Sequence, residues 1–249
     1  MLYKNKNKNK NKIKSIIFYG VIFALVAFFI FNIFNIINKK ENTTNPRSKN
    51  KATVSPYKLS EELDHFKVKS LSSDITVINY FDLDCVHCKN AYVLEDKNIN
   101  DYIGKINIVY RHNPLEIHPL ASEKALIAEC VYKISGEDNK VFFDFVKEVY
   151  DNFEKNKKSN YWVINIAQKY IDKNKKEELS ICMSDEKLKD KISKQRSVNL
   201  LNHIIYTPTI LVFKGSDFVK KYDRLSGGQV DSIMKQVHLV VKYYVDNNK

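Results

Sequence analysis

The run Ile75-Thr76-Val77-Ile78-Asn79-Tyr80-Phe81 leads the chain into Cys85-Val86-His87-Cys88, and this junction limits the fold more than any other stretch of the sequence. Uncharged β-branched and aromatic residues read as a buried strand. A helix is expected from Val86 to about Asn98, opening at the cysteine pair. A strand followed at once by a helix puts the first sulfur at the helix N-terminus, where unpaired amides and the helix dipole favour a thiolate. Such a pair is a reversible electron carrier, with Cys85 expected as the exposed nucleophile and Cys88 one turn inside. Other uses of two cysteines fit less well. Zinc wants four ligands, and no second pair follows. Haem attachment wants histidine after the second cysteine, where Lys89 stands. A structural bridge across so short a loop would stabilise little.

The ends of the chain differ sharply in character. The net charge is +12, yet residues 1–51 hold eleven Lys/Arg against one acid, which is +10 and leaves +2 for the rest. The basicity therefore flanks an apolar segment instead of covering a domain, which argues against nucleic-acid binding and suits an anionic lipid surface. Residues 15–37 are almost wholly apolar and long enough for a transmembrane helix. A cleavable signal peptide would have an apolar region of about 7–15 residues and a small-x-small site. Phe31-Asn32-Ile33-Phe34-Asn35 offers no such site, so an uncleaved anchor is expected. Residues 1–14 would be a basic cytoplasmic tail, residues 38–57 a polar linker, and residues 58–249 the exported domain.

Within that domain a second strand is expected at Lys105–Tyr110, stopped before Pro114. A mainly helical stretch follows from about 118 to 202, with breaks near Gly136 and Asn156. Leu120, Ile127, Val131 and Ile134 keep helical spacing there, as do Phe142, Phe145, Val146 and Val149. Strand character returns at Thr209–Phe213, then a hairpin through Gly215, then a final amphipathic helix carrying Val230, Ile233, Met234, Val237 and Val241.

Four landmarks resemble the DsbA-like thiol–disulfide oxidoreductases of the bacterial envelope. Phe81 to Lys89 resembles the active-site strand and helix start, and Arg111-His112-Asn113-Pro114-Leu115 the segment after the next strand. Glu129-Cys130 lies in an Ala-rich helix like the one opening that family's insertion, and Tyr206-Thr207-Pro208-Thr209 resembles its cis-proline loop. The resemblance spans roughly residues 60–245 and implies an α/β thioredoxin-like fold with a helical insertion, preceded here by the anchor. It implies a redox pair Cys85–Cys88 without cofactor or metal, aided by His87, with Thr207 and Pro208 facing the sulfurs. Asp84 is expected to oppose the thiolate, because a carboxylate beside it disfavours the charge. The implied activity is donation of disulfides to unfolded or reduced exported proteins by a monomer, reoxidised by a quinone-linked thiol oxidase of the membrane. A reductase or isomerase on the same fold, or a non-catalytic envelope module, are the alternatives.

Some relatives carry a second, non-catalytic disulfide in the insertion, and Cys130 and Cys182 suit it; two buried thiols remain the other reading. His65, His112, His118, His203 and His238 are scattered and read as surface or hydrogen-bonded core residues. Trp162 reads as core, and Asp82 as a carboxylate whose place near the thiols leaves open a proton-transfer role.

Overall fold

The computed structural model describes residues 59–60, 64–156, 158–223 and 229–247. The expected tail, anchor and linker lie wholly outside the described residues. Among the described residues no helix is long and apolar enough to cross a membrane. Strands β1 (His65–Val68), β2 (Ile75–Phe81), β3 (Asn107–His112), β4 (Thr209–Lys214) and β5 (Asp217–Tyr222) form one sheet in the order β1-β3-β2-β4-β5. Central β2 runs parallel to β3 and antiparallel to β4. Its side chains alternate between two cores. Ile75, Val77 and Phe81 join the larger one, while Ile78 and Tyr80 meet Val109, Ile204, Leu211 and Phe213 on the other face. Burial on both faces explains why β2 has no polar stripe.

Helix α1 (Val86–Lys97) follows β2 and packs against α8 (Val230–Asp246), which also lies on β4. Between β3 and β4 the chain builds a helical insertion: α2 (Ala121–Ile134), α3 (Asn139–Asp151), α4 (Phe153–Asn156), α5 (Tyr161–Ala167), α6 (Lys176–Met183) and α7 (Glu186–Leu201). Helix α2 is its hub, packed on α3, α5, α6 and α7. The break expected near Gly136 has a local cause. Gly136 (φ +82°) and Glu137 (φ +64°) turn the chain, and the Asp138 carboxylate then caps α3 by accepting from the amides of Lys140 and Val141.

Three sequence expectations change. Strand β3 extends through Arg111 and His112, which are buried rather than terminal because each meets a carboxylate. Strand β1 was not expected, since His65-Phe66-Lys67-Val68 has a charge where alternation would want none; Lys67 is held by Glu95 and lies 3.7 Å above the Tyr92 ring. Trp162 is 46 % exposed instead of core, its ring approached by Lys155 at the rim of α5.

Candidate redox site

Cys85 is the N-cap of α1, with extended backbone (φ −100°, ψ 118°) and no side-chain capping bond. The turn Asp82-Leu83-Asp84 that sets it there is tied by the Cys85 amide to the Asp82 carbonyl at 3.2 Å and the Asp84 amide to Asp82 Oδ1 at 2.7 Å. Cys85 and Cys88 are both unbonded thiols and both 3 % exposed. The expected exposed nucleophile is therefore sheltered. The Thr207-Pro208 peptide is cis and lies against it, with the Cys85 thiol donating to the Thr207 carbonyl at 3.5 Å. Thr207 and Pro208 are themselves buried. His87 occupies the first turn of α1, half-buried.

The two thiols are driven apart in acidity. Cys85 is lowered to about 6, first by a hydrogen bond from the Cys88 thiol, then by the Cys88 amide and Thr207; burial and the Asp82 charge oppose this. The Thr207 hydroxyl is buried without another partner, so it is available to an ionised Cys85 sulfur. Cys88 is pushed well above the ordinary thiol range, chiefly by burial and then by its hydrogen bond to Cys85. One sulfur is thus a ready thiolate and the other a thiol that donates to it.

The carboxylate that opposes the thiolate is Asp82, not Asp84. Asp84 is neutralised by Lys124, whose ammonium lies 2.5 Å from it and is fully buried at the start of α2; it also accepts from the Leu120 amide at 3.3 Å. Asp82 is 1 % exposed and accepts through Oδ2 from the Leu115 amide at 2.9 Å. The same oxygen meets His118 Nδ1 at 2.7 Å, and that bond raises the imidazole's pKa despite partial burial. The Tyr150 hydroxyl donates to the Asp82 carbonyl at 3.2 Å. His118 and Tyr150 were not assigned to the site from sequence, because they enter from the loop before α2 and from α3. An acid at the end of a strand, three residues before the first cysteine of the pair, was the one available signal.

Asn113 was another residue without an assigned role. It is fully buried, and its amide hydrogens reach the carbonyls of Ile204 at 3.3 Å and Tyr206 at 3.4 Å. Its Oδ1 accepts from Arg196 and Asn199, both at 3.0 Å. The loop that carries Thr207 and Pro208 is thereby fixed to β3 and α7. Away from these groups, Cys130 and Cys182 form a disulfide between α2 and α6, with Cα atoms 5.8 Å apart.

The sequence profile of the thioredoxin family matches residues 70–226, and the chain belongs to that family. Among solved structures, α-DsbA1 of Wolbachia pipientis is 20 % identical, with a TM-score of 0.58 over 76 % of this chain and 94 % of that one. The oxidised BdbD of Bacillus subtilis is 20 % identical, with a TM-score of 0.55 over 72 % and 91 %. These likenesses establish the fold, a thioredoxin-like sheet with a helical insertion. No curated protein matches the chain.

Proposed function

We propose that this chain is a thiol–disulfide oxidoreductase working as an oxidase, passing the Cys85–Cys88 disulfide to exported proteins. The observation that supports it most is the split between the thiols, with Cys85 near 6 and Cys88 far higher. In the disulfide form a substrate thiolate attacks Cys85 Sγ. The S–S bond breaks, its electron pair goes to Cys88, and that sulfur takes a proton. A second substrate thiolate then attacks the substrate sulfur of the mixed disulfide and expels Cys85 as a thiolate. The substrate loses two electrons and its two thiol protons. The enzyme gains both electrons and one proton, on Cys88, and the other proton goes to solvent while Cys85 stays a thiolate. A low-pKa leaving group favours this last step and stabilises the reduced enzyme, which is what makes a pair oxidising.

The flanking groups suit the exchange itself, in either direction of electron flow. Asp82, hydrogen-bonded to His118, is placed to mediate the proton that Cys88 takes up. The backbone before Pro208 offers an edge on which an extended substrate could lie. The expected anchor would hold the domain on the extracytoplasmic side of a bacterial membrane, within reach of a quinone-linked oxidase that restores the disulfide.

The redox potential of the pair, measured in glutathione buffers alongside ultraviolet titration of Cys85, tests the direction. An oxidase should show a potential well above that of thioredoxin, about −270 mV, and should oxidise reduced, unfolded ribonuclease. A potential near thioredoxin's with rapid reduction of insulin would assign the site to a reductase instead.

A further inference from the structure

We propose that His65, His112 and Glu129 bind a divalent transition-metal ion of the zinc class, with Gln195 placed as a fourth ligand, so that the ion clamps the helical insertion to the sheet. The three residues come from β1, the end of β3 and α2, and all are buried. One ligand atom from each lies within 4.8 Å of the others. His65 Nε2 is 2.8 Å from Glu129 Oε1, and His112 Nε2 is 3.4 Å from the same oxygen without making a hydrogen bond.

A hydrogen-bonded histidine network would account for one contact and leave the rest unexplained. His65 Nδ1, His112 Nε2 and both amide atoms of Gln195 are buried with no hydrogen-bond partner. Such atoms are rare in a folded interior. One ion, reached by His65 through Nε2, would take His112 Nε2 and the Gln195 amide oxygen among them, and would leave His65 Nδ1 on the far side of its ring. Gln195 belongs to this place by helix geometry. One turn earlier on α7, Lys191 reaches Glu129 Oε2 at 3.2 Å; one turn later, Asn199 donates to the His112 carbonyl at 3.1 Å. Residues four apart share a helix face, so Gln195 lies between those contacts and faces the cluster.

The donor set selects the ion. Two imidazole nitrogens and a carboxylate oxygen suit zinc and its neighbours, whereas calcium and magnesium take oxygen donors. Lys191 competes for Glu129. Its side chain is 22 % exposed, so its ammonium can leave for solvent when an ion takes the carboxylate. The site shares no residue with the cysteine pair, so it stands whichever way electrons flow there.

The test uses the full-length chain with the Cys85–Cys88 disulfide formed, which removes those thiols as competing ligands. Chelator-stripped protein is titrated with Zn2+ by calorimetry and with Co2+ by visible spectroscopy. We expect one ion per chain, a cobalt spectrum of nitrogen and oxygen ligation without thiolate charge transfer, and a loss of affinity of about tenfold or more in Glu129→Gln. Lys191→Ala should bind Zn2+ more tightly than the parent, a gain that a structural ion pair would not produce. Failure of the folded parent to take up either ion, or uptake undiminished in folded Glu129→Gln, overturns the site. Should Glu129→Gln not fold, Lys191→Ala decides: unchanged or weaker Zn2+ affinity overturns the proposal.

Discussion

Hydrogen bonds from the Cys88 thiol, the Cys88 amide and Thr207 converge on Cys85 and outweigh both burial and the nearby Asp82 charge. The balance makes the stability of the reduced protein depend on pH. Cys85 ionises at about 6 in the fold, against about 8.5 for an unfolded thiol. This is a lowered acid, so its contribution is complete above the unfolded value and is lost as pH falls through about 6. Cys88, raised in the fold, stays protonated there throughout, and its unfolded thiol ionises only toward the upper end of this window, where it subtracts from the reduced form. The oxidised protein has neither thiol. Its stability subtracted from that of the reduced protein should therefore fall with falling pH, most steeply around pH 7 at about 1.4 kcal/mol per pH unit, and level off below about 6. Urea unfolding of the two forms at several pH values measures this, and a flat difference would contradict the lowered thiol. At this scale the cysteine pair was legible because its chemistry is local, whereas Thr207 and Pro208, 122 residues from Cys85 at Thr207, entered only through the family resemblance. The exchange of Asp84 for Asp82 was not legible, because it depends on Lys124, which is 40 residues from Asp84 in sequence.

At the scale of elements, legibility follows the source of each element's specification. Strand β2 has the bounds expected from its own composition, since every residue in it is buried. Strand β1 draws its place from remote partners, His65 from Glu129 and Lys67 from Glu95, so nothing in its four residues announces it. The insertion helices were visible as periodic apolar positions, and the bridge between two of them was one of the two readings left open for Cys130 and Cys182, offered by the family resemblance rather than by spacing. The Cys130–Cys182 bridge closes a segment with a sequence separation of 52 and ties the hub α2 to α6. The chain-entropy relation gives about 4 kcal/mol for a loop of that length, an upper figure because unfolded chains keep some structure. The double variant Cys130→Ala/Cys182→Ala should lower the urea midpoint accordingly. It should leave the Cys85 titration unchanged, because neither residue is among the groups acting on that sulfur. A shifted Cys85 titration would show the insertion strained onto the site by its bridge.

For the whole molecule, the site depends on three separate parts of the chain meeting at one end of the sheet. The strand end and α1 supply the sulfurs, α2 supplies Lys124 to Asp84, and the segment after α7 supplies Thr207 and Pro208. Asn113 joins the first and last of these, with its own amide donating to the Phe81 carbonyl at 2.8 Å. Its side chain serves two carbonyls of the cis-proline loop and two donors on α7. Replacing it with alanine takes one partner each from the Asn199 amide, the Arg196 guanidinium and the Ile204 and Tyr206 carbonyls, leaving Asn199 with the His112 carbonyl, Arg196 with the Ile204 carbonyl, and the Tyr206 carbonyl with the Thr209 hydroxyl. Unmade buried hydrogen bonds of this kind, one of them to a charged group, cost about 3 kcal/mol together. Asn113→Ala should therefore unfold at lower urea, and disulfide transfer to reduced ribonuclease should slow as the loop beside Cys85 loosens. Cys85 should still titrate near 6, since Asn113 does not touch its sulfur and the Cys88 thiol and amide remain in place. Slower transfer with an unchanged thiol would separate the positioning of a substrate strand from the activation of the nucleophile. A raised Cys85 pKa in Asn113→Ala would mean instead that Thr207 had withdrawn, so that the loop sets the acidity of the thiol as well as its surroundings.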